Sequence, residues 1–410
     1  PGVIEYRTIQ DLLFESNQDW KYHGYNVFGT YENTCAKVHN IKIMGGVNYE
    51  TEFHKTMRAS RNDLLSEDLN DFNLAKGDQI SLNGGKERYA LLGFFYRFNY
   101  DYLSKYLFEA SGRYDGSSRF PRHHRYGFFP SFSVGWRISE EKFFSPLRSF
   151  VDNMKIRLSY GSLGNQQVGY YDYMQVINSG SQINYSFGND QKITGASVSA
   201  PNSSDLTWEK VLTYNAGLDI ALFNNKLSFS ADSYIRDTKD MLMAGKDLPA
   251  VYGASSPKAN AANLRTKGYE LSASWNDSFN VLSSPLHYGI TLGFGDSKTK
   301  ITKYDNPNMT IGTYYKGLEL GSIWGFVADG FFKTDEEAAK YPVDQTYLNS
   351  MINISVIDNG LHAGDIKFID LDGDGKITPT TSAKELKDYR IIGNSLPRWT
   401  YSGIIDLDWK

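Results

Sequence analysis

The chain is short of cysteine: Cys35 stands alone in 410 residues, which excludes an internal disulfide framework and a multi-cysteine metal cluster. It also lacks a surplus of positive charge. Lys plus Arg number 43 against 47 Asp plus Glu, so polyanion binding, and with it nucleic acid as a partner, is not expected. Gly 37 and Pro 12 are near average usage, roughly 12% together, and indicate neither a collagen-like repeat nor a disordered linker. No run approaches the ~20 apolar residues of a membrane-spanning helix. Together with a mean hydropathy of -0.46, this suggests a soluble protein, except that a transmembrane β-barrel averages a lipid-facing apolar series with a polar inner one. Enzyme signatures are missing as well: there is no G-x-S-x-G, phosphate loop or H-E-x-x-H, and catalysis is not expected.

Aromatic residues, by contrast, are plentiful: 29 Tyr, 24 Phe and 7 Trp. They fall into alternating stretches. Leu92, Phe94, Tyr96, Phe98 and Tyr100 oppose Arg97, Asn99 and Asp101, and after a short turn at 101–105 Tyr106, Phe108, Ala110, Gly112 and Tyr114 oppose Glu109, Ser111 and Arg113. The same period runs through Phe132, Val134 and Trp136, and through Ile156, Leu158 and Tyr160. The clearest hairpin pairs Leu212–Leu222 with Leu227–Arg236 across Asn224-Asn225, residues that tolerate positive φ. Tyr269–Trp275 and Leu286–Phe294 give two further strands, and Tyr25–Tyr31 and Ile41–Tyr49 two less regular ones. Such runs fit tilted barrel strands of roughly 9 to 11 residues, often ending in interfacial aromatics. A soluble β-sandwich also alternates. Loop lengths favour the barrel: short turns contrast with long connections at 51–85, 161–205 and 241–266, the pattern of short periplasmic turns and long extracellular loops. Within the first of these, Leu64, Leu65 and Leu69 suggest a short helix.

An ordered series of motifs goes further. Arg113-Tyr-Asp-Gly-Ser-Ser-Arg-Phe120, Phe129-Pro-Ser-Phe-Ser-Val-Gly-Trp-Arg-Ile-Ser-Glu-Glu141, Ser159-Tyr-Gly-Ser-Leu-Gly-Asn-Gln166, Leu206-Thr-Trp-Glu-Lys210, Gly364–Ile377 and Ile391–Arg398 follow one another from about Leu91 onward. In this order they resemble the SusC/RagA family of TonB-linked outer-membrane transporters. The resemblance implies an all-β fold: an antiparallel transmembrane β-barrel, here residues 1–410 as a partial barrel domain lacking the plug and the last strands. It implies active uptake of oligosaccharides or peptides, a SusD-like surface lipoprotein over the mouth, and energy from TonB through the plug. A soluble or surface-attached glycan-binding β-sandwich and a passive porin are the competing readings.

Three candidate sites remain. Asp370, Asp372, Asp374 and Gly375 have the 1, 3, 5, 6 spacing of an EF-hand loop, with the Lys376 carbonyl at position 7, so a structural Ca²⁺ is expected. Position twelve is Thr381, which cannot supply a carboxylate, and Asp388 is the candidate to complete the site within an inserted loop at 365–390. Tyr170, Tyr171 and Tyr173 are candidates for stacking on substrate. The Arg119, Arg122, His123, His124 and Arg125 cluster reads best as a solvated loop. The wall arginines Arg97, Arg113, Arg137 and Arg157 are expected to face inward, either to contact the plug or the substrate path or to pair with carboxylates such as Glu109 or Asp219.

Overall fold

The computed structural model describes residues 12–66, 71–186, 192–199, 201–245, 249, 251, 253, 256–348 and 361–409. Its strands are β1 (Leu12–Cys35), β2 (His39–Asn62), β3 (Ile80–Tyr102), β4 (Tyr106–Ser117), β5 (Tyr126–Arg137), β6 (Val151–Asn165), β7 (Ile177–Ser186), β8 (Lys192–Val198), β9 (Glu209–Leu222), β10 (Leu227–Ala244), β11 (Lys258–Val281), β12 (Ser284–Lys303), β13 (Ser322–Phe326), β14 (Ala328–Phe331), β15 (Ile366–Phe368), β16 (Tyr389–Asn394) and β17 (Trp399–Trp409). A short helix, α1, covers Asp335–Ala339. Eleven strands form one sheet in the order β1-β2-β3-β4-β5-β6-β9-β10-β11-β12-β17, and each neighbouring pair is antiparallel. β7 with β8, β13 with β16 and β14 with β15 make three small accessory sheets.

The alternation read from the sequence is the pleat of this wall. Phe94, Phe108, Phe132, Leu158, Tyr214, Leu271, Leu292 and Leu407 are all exposed on one face, as lipid-facing residues of a barrel must be. The opposite face carries the charges. Two aromatic levels border the apolar series; on β4 they are Tyr106 and Tyr114, eight positions apart. That is about 27 Å along the strand and ~20 Å along an axis tilted by about 40°, within the roughly 25 Å apolar band of such barrels.

Connections sort by rim. Residues 36–38, 103–105, 223–226 and 282–283 turn the chain tightly at one end. Leu282 and Ser283 both take positive φ (49° and 70°), as a two-residue hairpin turn matched to strand twist requires. Asn224 and Asn225 do likewise (58° and 62°). The other end carries most of the long connections, the largest being 304–398, which holds β13 to β16 and α1, while the β5–β6 link at 138–150, coiled into 3₁₀ turns, is the one long connection among the described residues on the short-turn rim. The expected loops at 51–85, 161–205 and 241–266 are shorter than their sequence suggests. β2 continues to Asn62, β6 to Asn165 and β10 to Ala244. Beyond the lipid band both faces meet water, so the ladder persists while the apolar alternation that marks it in sequence disappears. The short helix expected around Leu64 and Leu65 is replaced by the end of β2 and a 3₁₀ turn at Phe72–Leu74; Leu69 lies outside the described residues.

Candidate functional site

The inner face of the wall is knitted by ion pairs. Arg157 donates to Asp219 at 2.8 and 3.0 Å and to Asp232 at 3.0 Å, linking β6, β9 and β10. Arg113 forks onto Asp115 at 2.9 and 2.8 Å, Arg97 lies 3.5 Å from Glu109, and Arg137 3.8 Å from Glu140. These arginines thus pair with wall or turn carboxylates. Trp20, Tyr22, His54, Glu50, Glu52, Glu87 and Tyr89 share this face in the long-loop half of β1 to β3, by the register Trp20↔His54↔Glu87 and Tyr22↔Glu52↔Tyr89. Trp20 stacks on His54 at 3.7 Å between ring centroids and stays 56% exposed. This patch escaped the sequence reading because one aromatic per strand leaves no local signal; only the register assembles it.

The ordered motifs meet at the long-loop end. Phe120, Phe129, Val168, Leu206 and Trp208 form one buried cluster, with Leu91, Tyr173 and Leu242 packed around it. Phe129 points inward from β5, Trp208 stands just before β9, and its indole donates to the Arg125 carbonyl at 2.8 Å. Phe120 and Phe129 approach the Trp208 ring at 5.2 and 5.3 Å, distances typical of favourable aromatic pairs. Gly127 and Gly164 make room: a Cβ at either would sit 2.4 or 2.2 Å from the Phe129 ring. The motif spacing is therefore the footprint of one packing unit that fastens three loops to the wall.

The candidate tyrosines divide around this unit. Tyr173 is half-buried against the cluster. Tyr170 donates to Glu52 at 2.6 Å, and the Arg119 guanidinium lies over both its ring and that of Tyr89, at 4.8 and 4.4 Å. Burial, then the bond to Glu52, pushes the Tyr170 phenol up to about 12. Tyr171 is exposed and its hydroxyl accepts from the Arg88 amide at 3.2 Å. Two of the three rings are thus engaged with protein, and Tyr171 alone offers a free face. The basic cluster also departs from a simple solvated loop. Arg119 reaches the Val168 carbonyl and Arg125 the Phe120 carbonyl, so these two hold loops together, while Arg122–His124 form an exposed or half-exposed 3₁₀ turn.

In the 304–398 connection, Asp370, Asp372 and Asp374 each present a carboxylate oxygen, all within 4.8 Å of one another. The loop is prefolded around them. Asp370 accepts from the amides of Gly373 and Gly375 at 2.7 and 2.8 Å, Asp372 from Asp374, and Asp374 from Lys376. The Gly375 amide is the largest influence holding the Asp370 carboxyl below its usual range. Gly373 and Gly375 sit at φ 79° and 82°, where a side chain would be strained. The neighbouring bridge to Asp344 uses the Gly375 carbonyl and the Ile377 amide, so it does not use the Lys376 carbonyl. Asp388 does not join the three carboxylates. It is fully buried, apart from the three grouped carboxylates, and its two oxygens accept from the Leu371 and Thr378 amides at 2.8 and 2.7 Å, which makes it a clasp across the loop base.

The chain matches the family described as "TonB dependent receptor-like, beta-barrel" over residues 5–409. It is 28% identical to TonB-dependent receptor P3 of Formosa agariphila, across 100% of this chain and 38% of that protein. It is 31% identical to TonB-dependent receptor SusC of Bacteroides thetaiotaomicron, across 67% of this chain and 28% of that protein. The solved structure of the RagAB peptide transporter superposes with a TM-score of 0.74 at 22% identity, across 97% of this chain and 40% of that one. The chain thus spans well under half the length of these relatives. Matched over nearly its whole length, this chain belongs to the TonB-dependent receptor-like β-barrel family, whose barrels lie in the outer membrane.

Proposed function

We propose that this chain forms the wall and mouth of an active outer-membrane importer of oligosaccharides, driven by TonB through a plug and covered by a SusD-like lipoprotein. The observation that carries the substrate class is the inward aromatic patch: Trp20 and Tyr22, 56% and 57% exposed, with Tyr171 nearby in the mouth. Exposed ring faces stack on the apolar faces of sugars, an interaction that uses large amphipathic rings at low entropic cost. Peptides are the second reading, favoured by Glu50, Glu52 and Glu87 on the same face, which would receive amines. Calorimetry on the full-length protein with its lipoprotein, using a maltooligosaccharide mixture and a mixed oligopeptide pool, separates the two. Trp20→Ala is expected to weaken oligosaccharide binding by about tenfold, within the roughly 1–3 kcal/mol per stacked ring seen for aromatic platforms. Equal binding by wild type and variant removes this patch from the substrate path, and uptake that survives deletion of the TonB-contacting segment makes the protein a passive porin.

The Asp370 loop fits a structural Ca²⁺. Three converging carboxylates and the Lys376 carbonyl offer a flexible all-oxygen set, which suits Ca²⁺ better than the smaller Mg²⁺. The absence of a twelfth-position carboxylate and the engagement of Asp388 place affinity at the weak end of such loops, about 10⁻⁴–10⁻³ M. Calcium would hold the 304–398 connection in shape beside the mouth. Limited proteolysis of the full-length protein should show this connection protected by millimolar Ca²⁺ and not in Asp372→Ala; protection that is identical in the variant rejects the site.

A further inference from the structure

On the lipid-facing side of the wall, just above the upper aromatic level, lies a basic groove that import does not require. Its volume is about 830 Å³, and its lining includes Arg265, Lys267, Lys298, Lys300, Lys316 and Arg398. The strand register fixes its direction. Tyr269, Leu271 and Ala273 of β11 oppose Asp296, Phe294 and Leu292 of β12, and one step further from the apolar band Lys267 opposes Lys298, then Arg265 opposes Lys300. No bulge interrupts this stretch, so the four cations share the outward face of the exposed Tyr269 and Phe294. They lie about 7 and 13 Å along the strand beyond the Tyr269 level. That is the depth of lipid headgroups, at the long-loop rim that the family fold places outside the cell.

Like charges directly opposite one another in an antiparallel pair are destabilising, and here two such pairs are stacked. The facing carboxylates do not neutralise them. Asp237 is taken by Arg265 at 2.6 Å and Asp296 by Arg398 at 3.1 Å. Glu319 stands opposite Lys300 across an isolated bridge without reaching ion-pair distance, and among the described residues Lys267, Lys298, Lys300 and Lys316 have no carboxylate within 4.0 Å. Six cations therefore meet three anions on a surface whose lower edge, Ile235 and Tyr269, continues into the apolar band.

We propose that this groove binds the phosphorylated sugar headgroup of an outer-leaflet glycolipid, with its acyl chains lying along the apolar series below and its phosphate between Lys267, Lys298 and Lys300. The ligand supplies the counter-charge that the strand pairing lacks and fixes the height of the barrel at the outer leaflet. The site rests on outer-membrane family membership and on register, and is independent of what is transported.

The test uses the full-length protein in nanodiscs of phosphatidylethanolamine containing a minor fraction of purified lipopolysaccharide. The triple variant Lys267→Ser, Lys298→Ser, Lys300→Ser is compared with wild type by native mass spectrometry of the released protein, and heat-modifiable gel migration confirms that the variant barrel is folded. Each lysine near an anionic lipid surface contributes about fivefold, so retained glycolipid should fall by at least tenfold and return in the triple arginine variant. Dephosphorylated lipopolysaccharide should be retained no better by wild type than by the variant. Equal retention of intact lipopolysaccharide by both overturns the proposal. So does its displacement by millimolar inorganic phosphate, which would make the groove a site for free anions. Should the variant misfold, the dephosphorylated lipid and phosphate competition on wild type still decide.

Discussion

Two regions at the same rim solve one problem by opposite physics. Around Trp208, three loops are fastened by apolar burial: the rings of Phe120, Phe129 and Trp208 interlock, and glycines at 127 and 164 supply the clearance. Around Asp388, a loop of similar size is fastened by a buried carboxylate that collects two amides, with Ile377 the main fully buried apolar side chain beside it. The first arrangement depends on shape and is indifferent to ions. The second depends on charge. Cluster loops flank the inward patch through the Tyr170–Glu52 bond, whereas the Asp370 turn is set by carboxylate–amide bonds of its own.

Substitutions should separate the two regions. The largest effect is expected for Trp208→Ala, which removes the largest ring of the cluster and its bond to the Arg125 carbonyl. Truncating a buried Trp costs about 3–5 kcal/mol. Because the wall ladder is independent of it, heat-modifiable migration should persist while trypsin gains access to 118–125, which holds Arg119, Arg122 and Arg125, and chymotrypsin to 166–174, which holds Tyr170, Tyr171 and Tyr173. Cleavage appearing instead in 304–398 would mean the two regions are one cooperative unit. Asp388→Ala comes next, leaving two buried amides unsatisfied at about 1–3 kcal/mol each. Hydrogen exchange should quicken at Leu371 and Thr378 and stay unchanged at Val168; Asp388→Asn, which keeps one acceptor, should show the change at one amide. Gly164→Ala is smaller, since its Cβ would lie 2.2 Å from the Phe129 ring and overpacking costs about 1–3 kcal/mol. A shift in Trp208 fluorescence without loss of the barrel is the expected reading, and an unaltered spectrum would show that the clearance is not needed.

The two regions were unequally legible. Phe120, Gly127, Phe129, Gly164 and Trp208 all belong to or adjoin motifs recognisable in the sequence, but nothing local says that they touch; five loop and strand positions become neighbours only when β4, β5, β6 and β9 pair. The turn around Asp370 is legible in place, because its carboxylates are two residues apart and its glycines take positive φ within the same turn. Asp388 is less legible: from sequence a carboxylate near an incomplete cation loop reads as a ligand, whereas the fold places it apart from the three grouped carboxylates, on the Leu371 and Thr378 amides. In the wall, alternation exposed the strands within the lipid band and fell silent above it, where Glu52, Trp20 and Tyr89 form a surface that only register brings together.

The smallest expected effect is at alkaline pH, where the Tyr170 tie titrates and the carboxylates of the Asp370 turn do not. Tyr170 ties the loop after β6 to Glu52 of β2, and its phenol is pushed from 10.0 to about 12 by burial and by that bond. A group whose folded value is raised contributes stability in full below its unfolded value and loses it as pH rises through the folded one. The tie should thus be intact up to about pH 10 and be lost between pH 10 and 12. Its worth is about 1 kcal/mol, the net contribution of one hydrogen bond, so the loop should loosen without leaving the Trp208 cluster. Tyrosinate absorbance and hydrogen exchange at Val168 and Gly169, compared between wild type and Tyr170→Phe, give the measurement. The wild type should show one late-titrating tyrosine that the variant lacks, with exchange in the wild type approaching that of the variant only above pH 10. Because the Asp370 carboxyl is held low by backbone amides, its turn gains nothing and loses nothing across that alkaline window, and would loosen only as pH falls below the ordinary carboxylate range. Tyr341, whose hydroxyl donates to the Phe368 carbonyl beside that turn, titrates alike in both proteins, so a loosening of the Asp370 turn that Tyr170→Phe shifts to lower pH would show that the apolar cluster and the carboxylate clasp share a single support, and the division between them would fall.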